Sequence, residues 1–177
     1  MIHTLILPDT PVGPLTLQAD ANGLCRLDFG RRSTQQSPEH PLLKRAAEQL
    51  DAYFSGRLKR FDLPLAPVGT AFQEQVWNQL LAIPWGETRS YGEIAAALGN
   101  PGASRAVGLA NNRNPLPIII PCHRVVGSSG ELTGYGGGLV HKIRLLQLEQ
   151  VRLQPAQQPE RTKVIPERTD QSLKARP

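Results

Sequence analysis

The chain has few cysteines, and their positions argue against a disulfide-stapled or zinc-bound fold. Cys25 and Cys122 are the only two among 177 residues, and a pair so far apart in sequence does not form the framework of a disulfide-rich protein. No group of Cys and His has the spacing of zinc ligands, and no cofactor motif is visible. We therefore expect a reduced protein that binds neither a metal nor a cofactor.

Long apolar runs and targeting signals are also missing. No segment approaches the ~20 apolar residues that a membrane-spanning helix needs, and residues 1–5 lack the charged and apolar regions of a signal peptide. With 40% hydrophobic and 20% charged residues, the composition is that of an ordinary globular protein. These features predict a soluble cytoplasmic protein without a membrane partner, which would act at the nucleoid in a bacterium or in the nucleus of a eukaryote.

Acidic residues are outnumbered, but the imbalance does not identify a partner. The 20 Lys and Arg exceed the 15 Asp and Glu by five, which permits a polyanionic partner without establishing one. Part of the excess lies in residues 154–177, a segment rich in Pro, Gln and charge that we expect to be a disordered tail.

Residues 1–66 have the pattern of a small antiparallel sheet with one helix. Leucines alternate with polar residues in three short runs, and turn residues such as Asn22-Gly23 separate these runs. From Pro41 to Phe54 the apolar residues recur at helical spacing, and Gly56 follows as a stop signal. A linker rich in Pro and Gly, at residues 62–69, ends this N-terminal domain.

Residues 70–153 predict a second, mainly helical domain, which places the chain in the α+β class. Capping-box patterns at Thr70 and Ser90 mark two helix starts. Gly99 ends the second of these helices, and Pro101 stands where the first residue of another helix is expected. Two short helices joined by a tight turn that contains glycine have the outline of a helix-turn-helix.

The second helix of this pair is composed mainly of small residues. Arg105 is its one long cation, and the other positions leave the helix surface low: Ala103, Ser104, Ala106, Gly108 and Ala110. Small residues suit close packing against another helix. They equally suit docking into a DNA minor groove, which is only ~6 Å wide. The composition alone does not decide between these two interpretations.

A cysteine and a histidine stand side by side after an apolar run and a proline, in Pro121-Cys122-His123-Arg124-Val125. A thiol is a strong nucleophile only as a thiolate, which a nearby imidazole can generate. A lone cysteine is more commonly a small buried hydrophobe. In an extended segment the side chains of Cys122 and His123 would point to opposite faces, so we do not expect them to touch directly.

Several separate motifs together resemble one family. From residue 72 to residue 153 the chain is similar to the O6-alkylguanine-DNA alkyltransferases, also called methylated-DNA–protein-cysteine methyltransferases. The motifs follow the family's order and spacing: Ser90-Tyr91-Gly92, Gly99-Asn100-Pro101, residues 104–108, Asn114-Pro115, residues 117–126, residues 134–137, and the closing Lys142 and Glu149. The first 70 residues fit the family's more variable sheet domain only in outline.

The resemblance implies direct and irreversible transfer of an alkyl group from guanine O6 in DNA to a protein cysteine. Cys122 would be the acceptor, used once per molecule. His123 would act as its base through a bridging water, and Glu149 would orient the imidazole. Tyr91 would donate to the leaving guanine at N3.

The resemblance also implies how DNA is bound. The helix with residues 103–108 would enter the minor groove of double-stranded DNA. The damaged nucleotide must leave the duplex, because its reacting carbon is unreachable in a stacked pair. Arg105 would fill the gap that this nucleotide leaves. The remaining matched positions would brace or line the substrate pocket: Asn114, Pro117, Val125, Tyr135, Gly136 and Lys142. We expect the protein to act as a monomer.

The chain departs from the family's pattern at two points. Some family members carry serine where this chain has Gly136, and some have an N-terminal zinc cluster that is not visible here.

Three functions other than alkyl transfer are alternative interpretations of the same residues. A binding-only alkyltransferase-like protein is the main alternative, but such proteins lack the nucleophile. A helix-turn-helix transcription regulator would need more polar groups on its second helix than residues 103–110 offer. A Cys-His hydrolase would leave Tyr91 and Arg105 unexplained.

Overall fold

The computed structural model describes residues 1–154 and 159–166. It has the predicted α+β architecture. No helix within this part of the chain combines the length and the apolar character needed to cross a membrane.

The N-terminal sheet is antiparallel, as its alternating pattern predicts. Its strands follow one another in the order β1-β2-β3, and their bounds are His3–Leu7, Leu15–Ala19 and Leu24–Phe29. In the register, Leu5 pairs with Leu17 and Leu15 pairs with Phe29. The central strand is buried along most of its length. Helix α1, Pro41–Phe54, covers the sheet with the buried face Leu43, Ala46, Leu50 and Tyr53.

The helices of the C-terminal part begin largely where their caps predict. Their bounds are Ala71–Leu81 for α2, Tyr91–Ala97 for α3, Ser104–Asn112 for α4 and Leu139–Leu148 for α5. The side chains of Thr70 and Ser90 each form a complete capping box. Helices α3 and α4 pack against each other and form the predicted helix-turn-helix outline.

The predicted start of α4 is wrong by three residues. The helix begins at Ser104, not at Pro101, and residues 100–103 form a turn in which the Ala103 amide donates to the Asn100 carbonyl at 3.0 Å. Glycine at position 102 accounts for this difference, because glycine in a helix costs ~1 kcal/mol relative to alanine. A turn there accommodates both Pro101 and Gly102.

One apolar core runs through both parts of the chain. It includes Leu17 of β2, Leu50 of α1, Val76 of α2 and Ile118, all of them fully buried. Backbone hydrogen bonds also join the parts, since the Leu27 amide donates to the Pro115 carbonyl at 2.9 Å. The division into domains at residues 66 and 70 stays a prediction about independent units.

Part of the segment predicted to be disordered is ordered. Strand β6, Leu153–Gln154, pairs antiparallel with strand β7, Lys163–Val164, and the Val164 amide donates to the Gly130 carbonyl at 2.9 Å. The apolar side chains of Leu153 and Val164 pack on a second small core around Leu132. The expected disorder is therefore wrong for residues 154 and 159–166, and the rest of the tail lies outside the described residues.

Candidate active site

Cys122 lies at a cavity between the N-terminal sheet and the C-terminal helices. The cavity has a volume of about 480 Å³, and it is lined from the sheet side by Phe29 and Arg32 and from the helical side by Asn114, Pro117, Cys122, Tyr135 and Gly136. Only 4% of Cys122 is exposed. A molecule that reacts with this thiol must therefore enter the cavity.

The segment that holds Cys122 is a tight turn, not an extended strand. Residues Cys122–Arg124 form one turn of 3-10 helix, after which Val125–Val126 (β5) pairs in parallel with Arg89–Ser90 (β4). The expectation that the Cys122 and His123 side chains alternate as in a strand is therefore wrong. The proline before the cysteine is consistent with a turn, because it fixes φ and removes one amide donor.

Two asparagines brace the approach to Cys122. The Asn114 side chain donates to the Ile120 carbonyl at 2.8 Å and accepts from the Leu116 amide at 3.0 Å. The Asn111 side chain donates to the Cys122 carbonyl at 3.4 Å. In the segment between Asn114 and Cys122, Ile118 has a φ of 74°. This left-handed conformation costs a β-branched residue on the order of 1–3 kcal/mol. The surrounding bonds hold this strained segment in one conformation.

Burial raises the pKa of the Cys122 thiol, while the Asn114 side chain and the Lys142 ammonium oppose that effect. A buried neutral thiol is a poor nucleophile. Reaction therefore requires a base within reach.

His123, the residue after Cys122, forms a buried pair with Glu149. The His123 Nε2 atom lies 2.7 Å from Glu149 Oε1, and neither side chain is exposed to solvent. An ionised carboxylate only accepts hydrogen bonds, so Nε2 carries the proton in the neutral imidazole and Nδ1 is the basic nitrogen. Nδ1 is buried and has no hydrogen-bond partner among the described residues.

Two further residues hold Glu149, and sequence reasoning assigned neither of them to the site. Arg124 makes two hydrogen bonds of 2.9 Å to the carboxylate through Nε and Nη2, and its Nη1 donates to the Ile83 carbonyl at 2.6 Å. The Tyr53 hydroxyl donates to Glu149 Oε1 at 2.6 Å. Arg124 directly follows His123 in the motif and could have been suspected on that basis. Tyr53 gives no such signal, because it lies in the N-terminal helix.

These contacts set the charge state of the pair. Burial alone would raise the pKa of Glu149, but His123 and Arg124 outweigh it and lower the pKa to about 2. Burial lowers the pKa of His123 in spite of the opposing effect of Glu149. At neutral pH the pair is thus an ionised carboxylate and a neutral imidazole that can accept a proton.

Tyr91 and Lys142 meet at the backbone of the loop before Tyr135. The Tyr91 hydroxyl donates to the Thr133 carbonyl at 3.3 Å, and burial raises the pKa of Tyr91, which keeps the phenol protonated. Lys142 donates to the Val125 carbonyl at 2.6 Å and to the Thr133 carbonyl at 3.0 Å. Burial lowers the pKa of Lys142 to about 8. Lys142 thus ties the strand after the cysteine to this loop.

The glycine-rich loop forms the wall opposite the asparagines. The Tyr135 ring meets the Phe29 ring edge-on, with centroids 5.9 Å apart. A Cβ at Gly137 would lie 2.5 Å from a Phe29 ring carbon, whereas a Cβ at Gly136 would have only the Asn112 carbonyl oxygen nearby, at 3.9 Å. Gly137 is therefore required for contact with the sheet, a constraint that sequence reasoning did not find.

The residues predicted to bind DNA lie outside this cavity, on α4 and the turn before it. Arg105 and Ala106 are exposed, Ala103, Ser104 and Gly108 are half-buried, and Val107 faces the core. Helix α4 packs against α2 and α3, and Gly108 lies against the Tyr91 ring, since a Cβ there would be 3.8 Å from two of its carbons. The exposed side chains of α4 thus include Arg105, the small Ala106 and, one turn after Arg105, the larger Leu109.

In residues 1–154 and 159–166, no three His, Cys, Asp or Glu side chains gather as a metal site would require.

The similarity to known protein families extends over residues 1–67 and 71–151. The family "6-O-methylguanine DNA methyltransferase, DNA binding domain" matches residues 71–151, and its "ribonuclease-like domain" matches residues 1–67. The methylated-DNA–protein-cysteine methyltransferase of Mycobacterium leprae is 53% identical over 154 residues, which are 84% of this chain and 93% of that protein. The protein of the same name from Methanosarcina acetivorans is 53% identical over 147 residues, covering 80% and 94%.

A solved structure with bound DNA is also similar. The chain matches Mycobacterium tuberculosis OGT in complex with DNA with a TM-score of 0.73 and 51% identity, covering 84% of this chain and 92% of that one.

Proposed function

The chain belongs to the 6-O-methylguanine DNA methyltransferase family, whose members repair DNA by direct alkyl transfer to a protein cysteine, and on that premise we propose that it repairs O6-alkylguanine with Cys122 as the acceptor. One observation above all supports this proposal. Cys122 lines a cavity of about 480 Å³ and is followed directly by the buried His123, which is paired with Glu149 at 2.7 Å.

The His123–Glu149 pair would generate the nucleophile. His123 Nδ1, the basic nitrogen of the pair, takes the thiol proton through a water molecule, and Glu149 stabilises the imidazolium that forms. This follows the general arrangement of nucleophile, base and orienting group. Arg124 keeps Glu149 ionised, so the carboxylate does not compete for the proton.

Transfer then exchanges four bonds. The thiolate sulfur forms a bond to the alkyl carbon, and the electron pair of the C–O6 bond stays with the guanine. The Tyr91 hydroxyl supplies a proton to guanine N3 and recovers one through solvent from His123. The net change replaces an S–H and a C–O bond by an S–C and an N–H bond.

The lesion would reach the cavity by leaving the duplex. The first turn of helix α4 and the turn before it present Arg105 among small residues, which suits the minor groove of double-stranded DNA, and the exposed Leu109 follows one turn later. Arg105 would occupy the place of the extruded nucleotide and offset part of the unstacking energy, a few kcal/mol. Pro117, Tyr135 and Gly136, which line the cavity, would then surround the flipped guanine. Val125, also predicted to line the pocket, is fully buried and is not among the residues that line this cavity.

The product would be permanent, and the protein would act alone. A thioether carbon bears no good leaving group, so each molecule reacts once. We expect a monomer that meets DNA in the cytoplasm or nucleoid of a bacterium, or in the nucleus of a eukaryote. The binding-only alternative is not favoured, because such proteins lack the nucleophile and this chain has Cys122.

Mass spectrometry tests the proposal. After mixing with a duplex that contains O6-methylguanine, the peptide with Cys122 should gain the mass of one CH₂ group, while the peptide with Cys25 should not. The Cys122→Ala variant should bind the duplex and gain no mass. An unmodified Cys122 peptide after full loss of the lesion would contradict the proposal.

A further inference from the structure

Tyr53 reaches the Glu149–His123 pair from outside the part of the chain that carries the motifs. It lies on α1, beneath the N-terminal sheet, and 96 residues separate it from Glu149. Its side chain is fully buried. The hydroxyl lies 2.6 Å from Glu149 Oε1 and 3.5 Å from His123 Nε2. A residue of the N-terminal part of the chain thus contacts both His123, the proposed base, and Glu149.

Glu149 Oε1 is shared by three donors. It accepts from His123 at 2.7 Å, from Arg124 at 2.9 Å and from Tyr53 at 2.6 Å. A carboxylate oxygen has about two lone-pair sites, so these donors compete for its charge. The hydroxyl of Tyr53 therefore reduces the negative charge that His123 meets.

We propose that Tyr53 is a positioning residue for alkyl transfer, which sets through its hydroxyl how strongly Glu149 holds and charges the His123 imidazole. The inference rests on the proposed role of His123 as the base. Under this proposal, the N-terminal part of the chain contributes to the chemistry as well as to the fold.

The ring of Tyr53 is held independently of its hydroxyl. Three aromatic rings surround it, with centroid distances of 5.4 Å to Phe54, 5.2 Å to Phe61 and 5.2 Å to Trp85. Replacement by phenylalanine keeps these contacts and removes only the donor. The role of the Tyr53 hydroxyl can therefore be tested separately from the packing of the ring.

Tyr53 itself does not titrate in the range of interest. Burial, with Glu149 nearby, raises the pKa of Tyr53 well above 10, so it remains a donor throughout. The other charged groups that act on His123 are Arg124 from its own turn, Lys142 from α5 and Glu149, which directly follows α5. Tyr135 from the glycine-rich loop interacts with Glu149 and with Cys122. None of these side chains is removed in Tyr53→Phe. A change in the pKa of His123 can then be attributed to the lost hydroxyl.

The charge of Glu149 determines the direction in which the pKa of His123 changes. Without the Tyr53 hydroxyl, Glu149 keeps more of its charge for His123, which favours the imidazolium and raises the pKa of His123. The base is then protonated at higher pH, so the acid limb of the rate profile should move upward. A shift of about 0.5–1 pH unit is expected, which corresponds to about a threefold to tenfold slower reaction at a pH below the limb.

The test compares full-length wild type, Tyr53→Phe and Phe61→Leu. The single-turnover rate of transfer from an O6-methylguanine duplex is measured against pH, and the pKa of His123 is followed by NMR of ¹⁵N-histidine-labelled protein. Phe61→Leu is the control, because it perturbs the same aromatic cluster without touching a hydrogen bond. All three are compared at a temperature at which thermal melting shows them folded.

The expected result is an upward shift of both the acid limb and the pKa of His123 in Tyr53→Phe alone. An unchanged His123 pKa in Tyr53→Phe, or an equal shift in Phe61→Leu, would overturn the inference. The NMR titration needs no transfer to occur. Failure of the proposed function, seen as a wild type that does not react, is therefore distinguishable from failure of the role of Tyr53.

Discussion

At the scale of single residues, the site depends on one buried carboxylate. Glu149 is 1% exposed, and it accepts hydrogen bonds from Tyr53, His123 and Arg124. Removing one partner of a buried ion pair leaves an uncompensated charge and typically costs ~3–5 kcal/mol. Glu149 should therefore contribute to stability in addition to its proposed part in the chemistry.

Acid should weaken the fold through Glu149. Its pKa is about 2 in the folded protein and 4.5 ordinarily, so the unfolded chain binds a proton more readily between these values. The stabilisation is present above pH 4.5 and is lost as the pH falls toward about 2. His123, whose pKa is also lowered, contributes in the same direction from its ordinary 6.5 downward.

Urea unfolding of wild type and Glu149→Gln as a function of pH measures this. The variant should be less stable at pH 7, and its stability should fall less steeply than that of wild type below pH 4.5. Parallel curves for the two proteins in acid would show that Glu149 has no depressed pKa.

At the scale of elements, the glycine-rich loop must lie flat on the sheet. Gly137→Ala places a Cβ 2.5 Å from the Phe29 ring, and Gly136→Ala places one 3.9 Å from the nearest atom. Overpacking costs ~1–3 kcal/mol, so only Gly137→Ala should lower the melting temperature clearly. Equal melting temperatures for the two variants would indicate that the Phe29 ring moves aside freely.

The ordered end of the chain should stabilise the loop before it. Truncation after Gln154 removes the Val164–Gly130 hydrogen bond and the bond from the Leu132 amide to the Thr162 carbonyl, together with apolar contacts of Val164. We expect a lower melting temperature than for truncation after Pro166, which keeps them all. The same melting temperature for both truncations would indicate that residues 155–166 do not stabilise the fold.

Local signals predicted the elements better than they predicted the contacts between them. The bounds of α1 and the capping boxes at Thr70 and Ser90 follow from patterns a few residues long. The start of α4 does not, because a turn could satisfy Pro101 and Gly102 as well as a helix could. The pairing of residues 163–164 with β6 depends on a small apolar core that no periodicity reveals.

The candidate site, too, could be predicted from the sequence only in part. Cys122, His123 and Glu149 could be named from the motifs, although the turn at Cys122 could not. The hydrogen bond of Tyr53 depends on how α1 packs across the interface, and the requirement for Gly137 depends on where Phe29 lies. Such contacts join residues far apart in sequence and are fixed only by tertiary packing.

At the scale of the whole molecule, the proposed repair would require α4 and the cavity to act together. Arg105→Ala should slow transfer from a duplex much more than transfer from the free base O6-benzylguanine, because a free base needs no extrusion. Arg144→Ala, which removes an exposed arginine from α5, is the control for lost charge and should affect duplex repair only slightly, through weaker backbone attraction. An equal loss on both substrates in Arg105→Ala would mean that Arg105 supports the fold.

If Cys122 is the acceptor, it takes one alkyl group and keeps it. A titration of the protein with an excess of duplex O6-methylguanine, in which repaired lesions are counted until the reaction stops, measures this. We expect a plateau at about one lesion per protein molecule, with the methyl group on Cys122 and no repair by Cys122→Ala, because a thioether carbon has no good leaving group. Continued repair beyond the plateau, or a methyl group on another residue such as Cys25, would contradict it.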